Sequence, residues 1–224
     1  MATPEVAVRE GGRSMGGSTI LSDDILVQKA RGGDRTAFDA LVLRYQLQAV
    51  LVARSVLQNV ELAKDASQNA FAKAYFGLKS FRADSSFKTW LFRILVNEAR
   101  DVRRREQARG LFHFWTQMDA EGNRAEDILE IIPSRDRSPE ETVEAEETRK
   151  RIGQAVRKLP EREREVFVLR YFQDLSLSEV GEIMGIAVGT VKAHLAHGLE
   201  RLKSMLRVQS HLASERWQSE IERG

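Results

Sequence analysis

The 224-residue chain contains no cysteine. This excludes disulfides, thiolate zinc sites, a cysteine nucleophile and direct thiol redox sensing, so any sensing of stress belongs to a partner. Charge of one sign is also missing in bulk. The formal net charge is +2, too little for global attraction to a polyanion, and any nucleic-acid binding must come from local patches. No apolar run approaches the roughly 20 residues that a membrane span needs, so no membrane insertion is expected. The glycine-rich first twenty residues lack the apolar core of a signal peptide, which makes cytoplasmic residence the expectation and disorder the prediction for residues 1–20.

The chain is 42% apolar and 30% charged, the balance of a soluble, ordered protein, and its length suits two small domains. The periodicity is helical throughout. Ser22, Asp34 and Asn59 each stand where a helix N-cap belongs. Phe38, Leu41, Val42, Tyr45 and the run Ala49 to Val52 give the second helix a wide buried face. In the third, Leu62, Ala66, Ala70, Phe71, Ala74 and Leu78 line one side, with alanines small enough for a neighbouring helix to approach closely. The opposite side carries Lys64, Asp65, Gln68, Asn69 and Lys73, which by pattern alone is a solvated face.

From Lys79 to Asn97, bases interleave with aromatics: a polar turn at Arg82 to Ser86 separates Phe81 from Phe87, Trp90, Leu91 and Phe92. Unpaired strands are held by stacking on rings while cations follow the backbone, so Lys79, Arg82, Lys88 and Arg93 among these rings suit single-stranded nucleic acid. Helical spacing also places Phe87, Trp90, Leu91, Ile94 and Leu95 largely inside. Arg100, Asp101, Arg103, Arg104, Arg105 and Arg109 extend the helix as a basic run whose density suits phosphate contacts. Composition then inverts. Residues 111–141, rich in Asp and Glu and broken by Pro133 and Pro139, predict an acidic, flexible linker, with helix resuming near Thr142.

In the second half Ile152, Val156 and Leu159 form the inner face of a helix ended by Pro160, which fits the first turn of the next. Leu175 to Leu206 reads as a helix-turn-helix. Ser176 and Glu179 make a capping box, Leu175 and Val180 a hydrophobic staple, Gly185 a left-handed terminus, and Ile186 to Gly189 the turn. Val188, Val191, Leu195, Leu199, Leu202 and Leu206 predict a buried stripe on the second helix. Thr190, Lys192, Ala193, His194, His197 and Arg201 are left for the groove of a duplex. Residues 208–224, with Trp217 and Ile221, read as a weakly amphipathic tail.

Together these segments resemble extracytoplasmic-function (ECF) sigma factors, the two-domain alternative initiation factors of bacterial RNA polymerase within the sigma-70 family. SFRADSSFKTWLFRILVNEARDVRRR (Ser80 to Arg105) looks like the promoter-melting segment of region two. DASQNAFAKAY (Asp65 to Tyr75) is similar to its polymerase-binding helix, and LPEREREVFVLRYF with the helix-turn-helix resembles region four. The resemblance implies an all-α fold of two small helical domains, residues 21–110 (region two) and 142–207 (region four), joined by the acidic linker, and no cofactor, metal or catalytic residue. It implies that Asp65, Gln68, Asn69 and Lys73 dock on core RNA polymerase, although Asn69 stands where the family usually has an acid. It further implies that Phe81, Arg82, Asp84, Ser85, Ser86, Lys88, Trp90, Arg93, Asn97 and Asp101 engage the minus-ten element of promoter DNA and capture a flipped base. Thr190, Lys192, Ala193, His194, His197 and Arg201 would read the minus-35 element, and an anti-sigma factor is the implied inhibitor. Ala193 and His194 stand where the family commonly has Ser-Arg, so the promoter sequence does not carry over.

A stand-alone helix-turn-helix regulator would bind its duplex without polymerase, but it leaves Ser80 to Arg105 without a role. A metal enzyme using His194 and His197, one helical turn apart, lacks a third ligand.

Overall fold

The computed structural model describes residues 21–109 and 143–221. The expected N-terminal extension and most of the acidic linker lie outside the described residues. Those described form helices and turns, with no strand among them: α1 (Asp23–Arg31), α2 (Arg35–Leu57), α3 (Val60–Gly77), a 3-10 turn (Leu78–Ser80) and α4 (Phe87–Ala108) in the first half. The second half holds α5 (Val143–Arg157), α6 (Glu161–Phe167), a π turn (Val168–Phe172), α7 (Leu177–Met184) and α8 (Val188–Ile221).

The local punctuation follows the sequence. The Ser22 hydroxyl accepts from the Ile25 amide, the Asp34 carboxylate from Ala37 at 3.2 Å, and the Asn59 side chain from Leu62 at 2.9 Å. Each satisfies one of the donors that a helix start leaves without an intrahelical partner. Pro160 departs from expectation. It sits at the N-cap of α6 with extended ψ, one position earlier than the first turn. The tail is no separate element, because α8 continues unbroken to Ile221.

Helices α2, α3 and α4 make the first bundle. Ala63, Ala66, Ala70 and Ala74 are all at most 1% exposed, and their small side chains let α3 lie close to its neighbours. Helix α1 is tied across α2 by the Asp23 carboxylate, which accepts from both Arg44 and the Tyr45 hydroxyl. Burial and that hydrogen bond push the Tyr45 phenol above its ordinary range, so the ring stays neutral. Helix α2, although interrupted by Arg35, Asp39, Arg44 and Arg54, reaches the length and mean hydropathy of a membrane span, 1.3 over its most apolar window. Burial explains this: 56% of that window is inside the protein, and near its end Leu51, Val52, Ala53, Val56 and Leu57 are buried on successive faces because α6 and the π turn cover the remaining side.

The two halves lie against one another. Their apolar residues, from Leu26 to Leu202, form one continuous core. Helix α7 packs on α4 and α6 on α2. At the junction the buried Arg164 donates from Nε to the Ser55 carbonyl (2.7 Å) and from Nη1 to the Leu159 carbonyl (2.7 Å), linking the ends of α2 and α5. Burial pushes its guanidinium down to about 10, which leaves it charged at neutral pH.

Candidate polymerase and nucleic-acid interfaces

Asp65, Gln68, Asn69 and Lys73 are all exposed, at the spacing of one face of α3. Their floor is a residue that sequence reasoning missed. Glu98 of α4, 4% exposed, accepts from Lys73 and Asn69 (3.4 Å) and lies 3.5 Å from the Arg105 guanidinium. A buried carboxylate needs such partners, because its desolvation is otherwise unopposed. An open groove of about 710 Å³ runs over this site, lined by Asn69, Lys73, Glu98, Asp101, Arg104 and Arg105. The available signal was Glu98 itself, an acid set into an otherwise cationic stretch.

The segment before α4 is a packed corner. Phe81 is 6% exposed, with its ring 4.9 Å from Trp90 and 6.3 Å from Phe87, so it supports the turn from inside and is no stacking platform for a base. Trp90 is half-buried, lying over Gly77, where a Cβ would sit 3.5 Å from the ring. The Ser86 hydroxyl accepts from the Thr89 amide (3.1 Å), which makes it the α4 cap. Between them Arg82 and Asp84 are exposed, Ser85 is half-buried, and Ala83 takes a left-handed φ of 59°.

Helix α4 has two polar sides. Trp90, Asn97, Asp101 and Arg104 follow spacings of seven, four and three on the open side. The other side meets the second half of the chain. Lys88 donates to the Gln173 carbonyl and Thr89 to Glu179 (3.1 Å). Arg93 pairs with Glu182 (3.1 Å), Arg100 with Glu165 (2.7 Å), and Arg103 with Glu161. The basic run is thus divided, and the rest of it pairs locally: Arg104 with Asp101 and Arg109 with Glu106. Burial pushes the Glu165 carboxyl up, against the charge of Arg100 and with the neighbouring Glu161 reinforcing the rise. Burial also acts upward on Glu161, but hydrogen bonds from Arg103 and Glu165 and the charges of Arg103 and Arg162 bring it below the ordinary value.

The helix-turn-helix forms as its residues dictate. Ser176 accepts from the Glu179 amide (3.2 Å), and the Glu179 carboxylate accepts from the Ser176 amide (2.8 Å). Gly185 ends α7 at φ 68°, and its own amide reaches the Gly181 carbonyl. Helix α8 buries Val191 and Leu202, while Leu195, Leu199 and Leu206 are half-buried. Val188 departs from the predicted stripe. It is 39% exposed, although one of its methyls lies near Gly181 of α7. Thr190, Ala193, His194, His197 and Arg201 fall in one sector of about 100° on a 3.6-residue helix, with His194 half-buried and the others exposed. Lys192 is exposed outside that sector. Arg201 is corrected in one respect: its Nε pairs with Glu163 of α6 at 3.1 Å, because Gly198 lets α8 and α6 approach closely there.

A helical bundle carrying an exposed polar face, followed by a helix-turn-helix with a polar front, is the architecture of a transcription initiation factor. Residues 41–109 match the family described as Sigma-70 region 2, and residues 149–202 match Sigma-70, region 4. The chain is 34% identical to the ECF RNA polymerase sigma factor SigW of Bacillus subtilis (strain 168), over 81% of this chain and 95% of that protein. It is 36% identical to the ECF RNA polymerase sigma-E factor of Escherichia coli (strain K12), over 81% of this chain and 93% of the relative. Among solved structures, CnrH in complex with the cytosolic domain of CnrY aligns at TM-score 0.57 and 25% identity, covering 83% of this chain and 97% of the other. The sigma factor RpoE in complex with the anti-sigma factor NepR, from Bartonella quintana, aligns at 0.54 and 26%, covering 76% and 97%. The chain belongs to the ECF sigma factors of the sigma-70 family, the regulatory initiation factors that bind core RNA polymerase and direct it to promoter DNA.

Proposed function

We propose that the exposed face of α3, with Asp65, Gln68, Asn69 and Lys73, docks on core RNA polymerase, and that the open side of α4 captures an unpaired minus-ten base. What supports the reading is one observation: Asn97 and Asp101, with Trp90, share the side of α4 that the second half leaves uncovered. Asn97 can both donate and accept, which suits reading a base edge. Extruding a base costs a few kcal/mol, which stacking and edge hydrogen bonds offset. Thr190, Ala193, His194, His197 and Arg201 read the minus-35 element from the α8 sector, and Lys192 holds a flanking phosphate.

The factor itself performs no chemistry, works in the cytoplasm beside core polymerase, and is held in check by an anti-sigma factor, the class of partner seen with the Bartonella relative. A stand-alone regulator is not favoured, because region 2 would then have no role. Reconstitution tests the assignment. Asp65→Arg with Gln68→Ala abolishes holoenzyme formation, whereas Asn97→Ala with Asp101→Ala leaves it intact and abolishes promoter opening by permanganate footprinting. Normal opening by the second variant overturns the base-capture reading.

A further inference from the structure

We propose that Glu163, which lies behind the duplex-facing sector of α8 and touches no DNA itself, is a positioning residue. It aims Arg201 at a phosphate of the minus-35 duplex and leaves base reading to Thr190, Ala193, His194 and His197. This role rests on the reading of α8 as the minus-35 helix, and it divides the sector into a part that reads sequence and a part that holds backbone.

Place along the helix separates the two parts. At about 1.5 Å of rise per residue, Thr190 to His197 span roughly 10 Å, close to the width of a major groove at about 12 Å. Arg201 lies about 6 Å further on. When the N-terminal part of a recognition helix meets base edges, a residue one turn past it stands at the groove rim, where the phosphates are. Arg201 is also the one side chain of these five with a formal charge, histidine counted as neutral, so the electrostatic attraction of the sector falls to it.

Glu163 of α6 fixes where that charge points. Its side chain is 9% exposed against 58% for Arg201, and its Oε2 lies 3.1 Å from Arg201 Nε. The acid is set directly under the helix: Gly198 carries no side chain, and a Cβ there would stand 3.5 Å from the Glu163 Cβ. A buried carboxylate keeps the cation that offsets its desolvation, so the pair is a fixed one. A planar guanidinium engaged from its Nε side still presents Nη donors to a second anion, which here is the phosphate in front. Ordering this long side chain before DNA arrives spares the complex that entropy.

The test uses holoenzyme reconstituted from the full chain and core polymerase. Its probe is a duplex that the holoenzyme selects from a randomised pool and that ends upstream of the minus-ten element, with a panel of single-base-pair substitutions of that duplex. Arg201→Ala should weaken binding to every member of the panel by the same factor and lower the slope of log affinity against log salt by roughly 0.9, one phosphate contact on a duplex. Glu163→Gln, its fold verified by circular dichroism, should weaken all of them at least about threefold, the order of the entropy of one long side chain, and should add nothing in the Arg201→Ala background. An acid that only masked the cation would give tighter binding by Glu163→Gln. An acid that only supported the helix would weaken binding equally in the Arg201→Ala background. Either result overturns the proposal, as does an unchanged slope or an altered base preference for Arg201→Ala. If His194→Ala and His197→Ala change the base preference while Glu163→Gln changes nothing, the positioning role falls alone. If those histidine variants leave the preference unaltered while the Arg201 and Glu163 losses appear as stated, the base-reading assignment falls and the positioning role stands.

Discussion

Replacing Arg164 by methionine strips donors from the carbonyls of Ser55 and Leu159, at the ends of α2 and α5. A buried carbonyl left without its partner costs about 1–3 kcal/mol, so two give roughly 2–6 kcal/mol. Against this, the variant no longer desolvates a guanidinium, and methionine fills much of the volume. The net loss should be about 2–4 kcal/mol. At roughly 2–4 °C per kcal/mol for a chain of this size, Tm should fall by about 4–16 °C in a calorimetric or circular-dichroism melt. Arg164→Lys should recover little, because one ammonium cannot reach both carbonyls as the fork does. A methionine variant within about 0.5 kcal/mol of the parent, the range of an inert surface change, would refute the reasoning.

Three further predictions rest on separate features. Gly185→Ala forces a Cβ into a left-handed backbone at φ 68° and should cost about 1–2 kcal/mol in urea unfolding, with minus-35 binding weakened in proportion. Burial acts upward on Glu179, but hydrogen bonds from the Ser176 amide and hydroxyl and from Thr89 hold it below the ordinary 4.5; the capping box therefore contributes fully above 4.5 and is lost as pH falls through the lower folded value, which an NMR titration of the Glu179 carboxyl would report. Glu98→Ala removes the carboxylate shared by Lys73, Asn69 and Arg105, and should weaken core polymerase binding several-fold in a co-elution titration while Asn97-dependent base capture survives.

What could be read in advance was local. The caps at Ser22, Asp34, Asn59 and Ser176 need only three or four residues to be specified, and each forms as written. The helix-turn-helix is short-range for the same reason. The pairing of the basic run was not legible because its partners are distant: Arg100 meets Glu165, and Arg103 meets Glu161, across the whole acidic segment. No periodicity within α4 encodes that. Phe81 looked like a platform because an aromatic in a polar turn reads the same whether its ring faces solvent or, as here, Trp90. Glu98 went unnoticed since its importance lies in reaching α3, a neighbour fixed only by the bundle. Val188 kept the right period, but at the first position of α8 it is covered only on the side of Gly181.

The π turn at Val168–Phe172 closes with the Gln173 amide reaching the Val168 carbonyl, five residues back. Such a turn holds one residue more than an α-helical turn over the same path. Deleting one residue there would let the turn close as α-helix over the same path, leaving α7 and α8 in place but removing the widened turn from which the Gln173 carbonyl meets Lys88. The extra residue thus spaces that carbonyl for the cation on α4, and a change of length at this position would act first on the contact between the two halves while leaving each half intact.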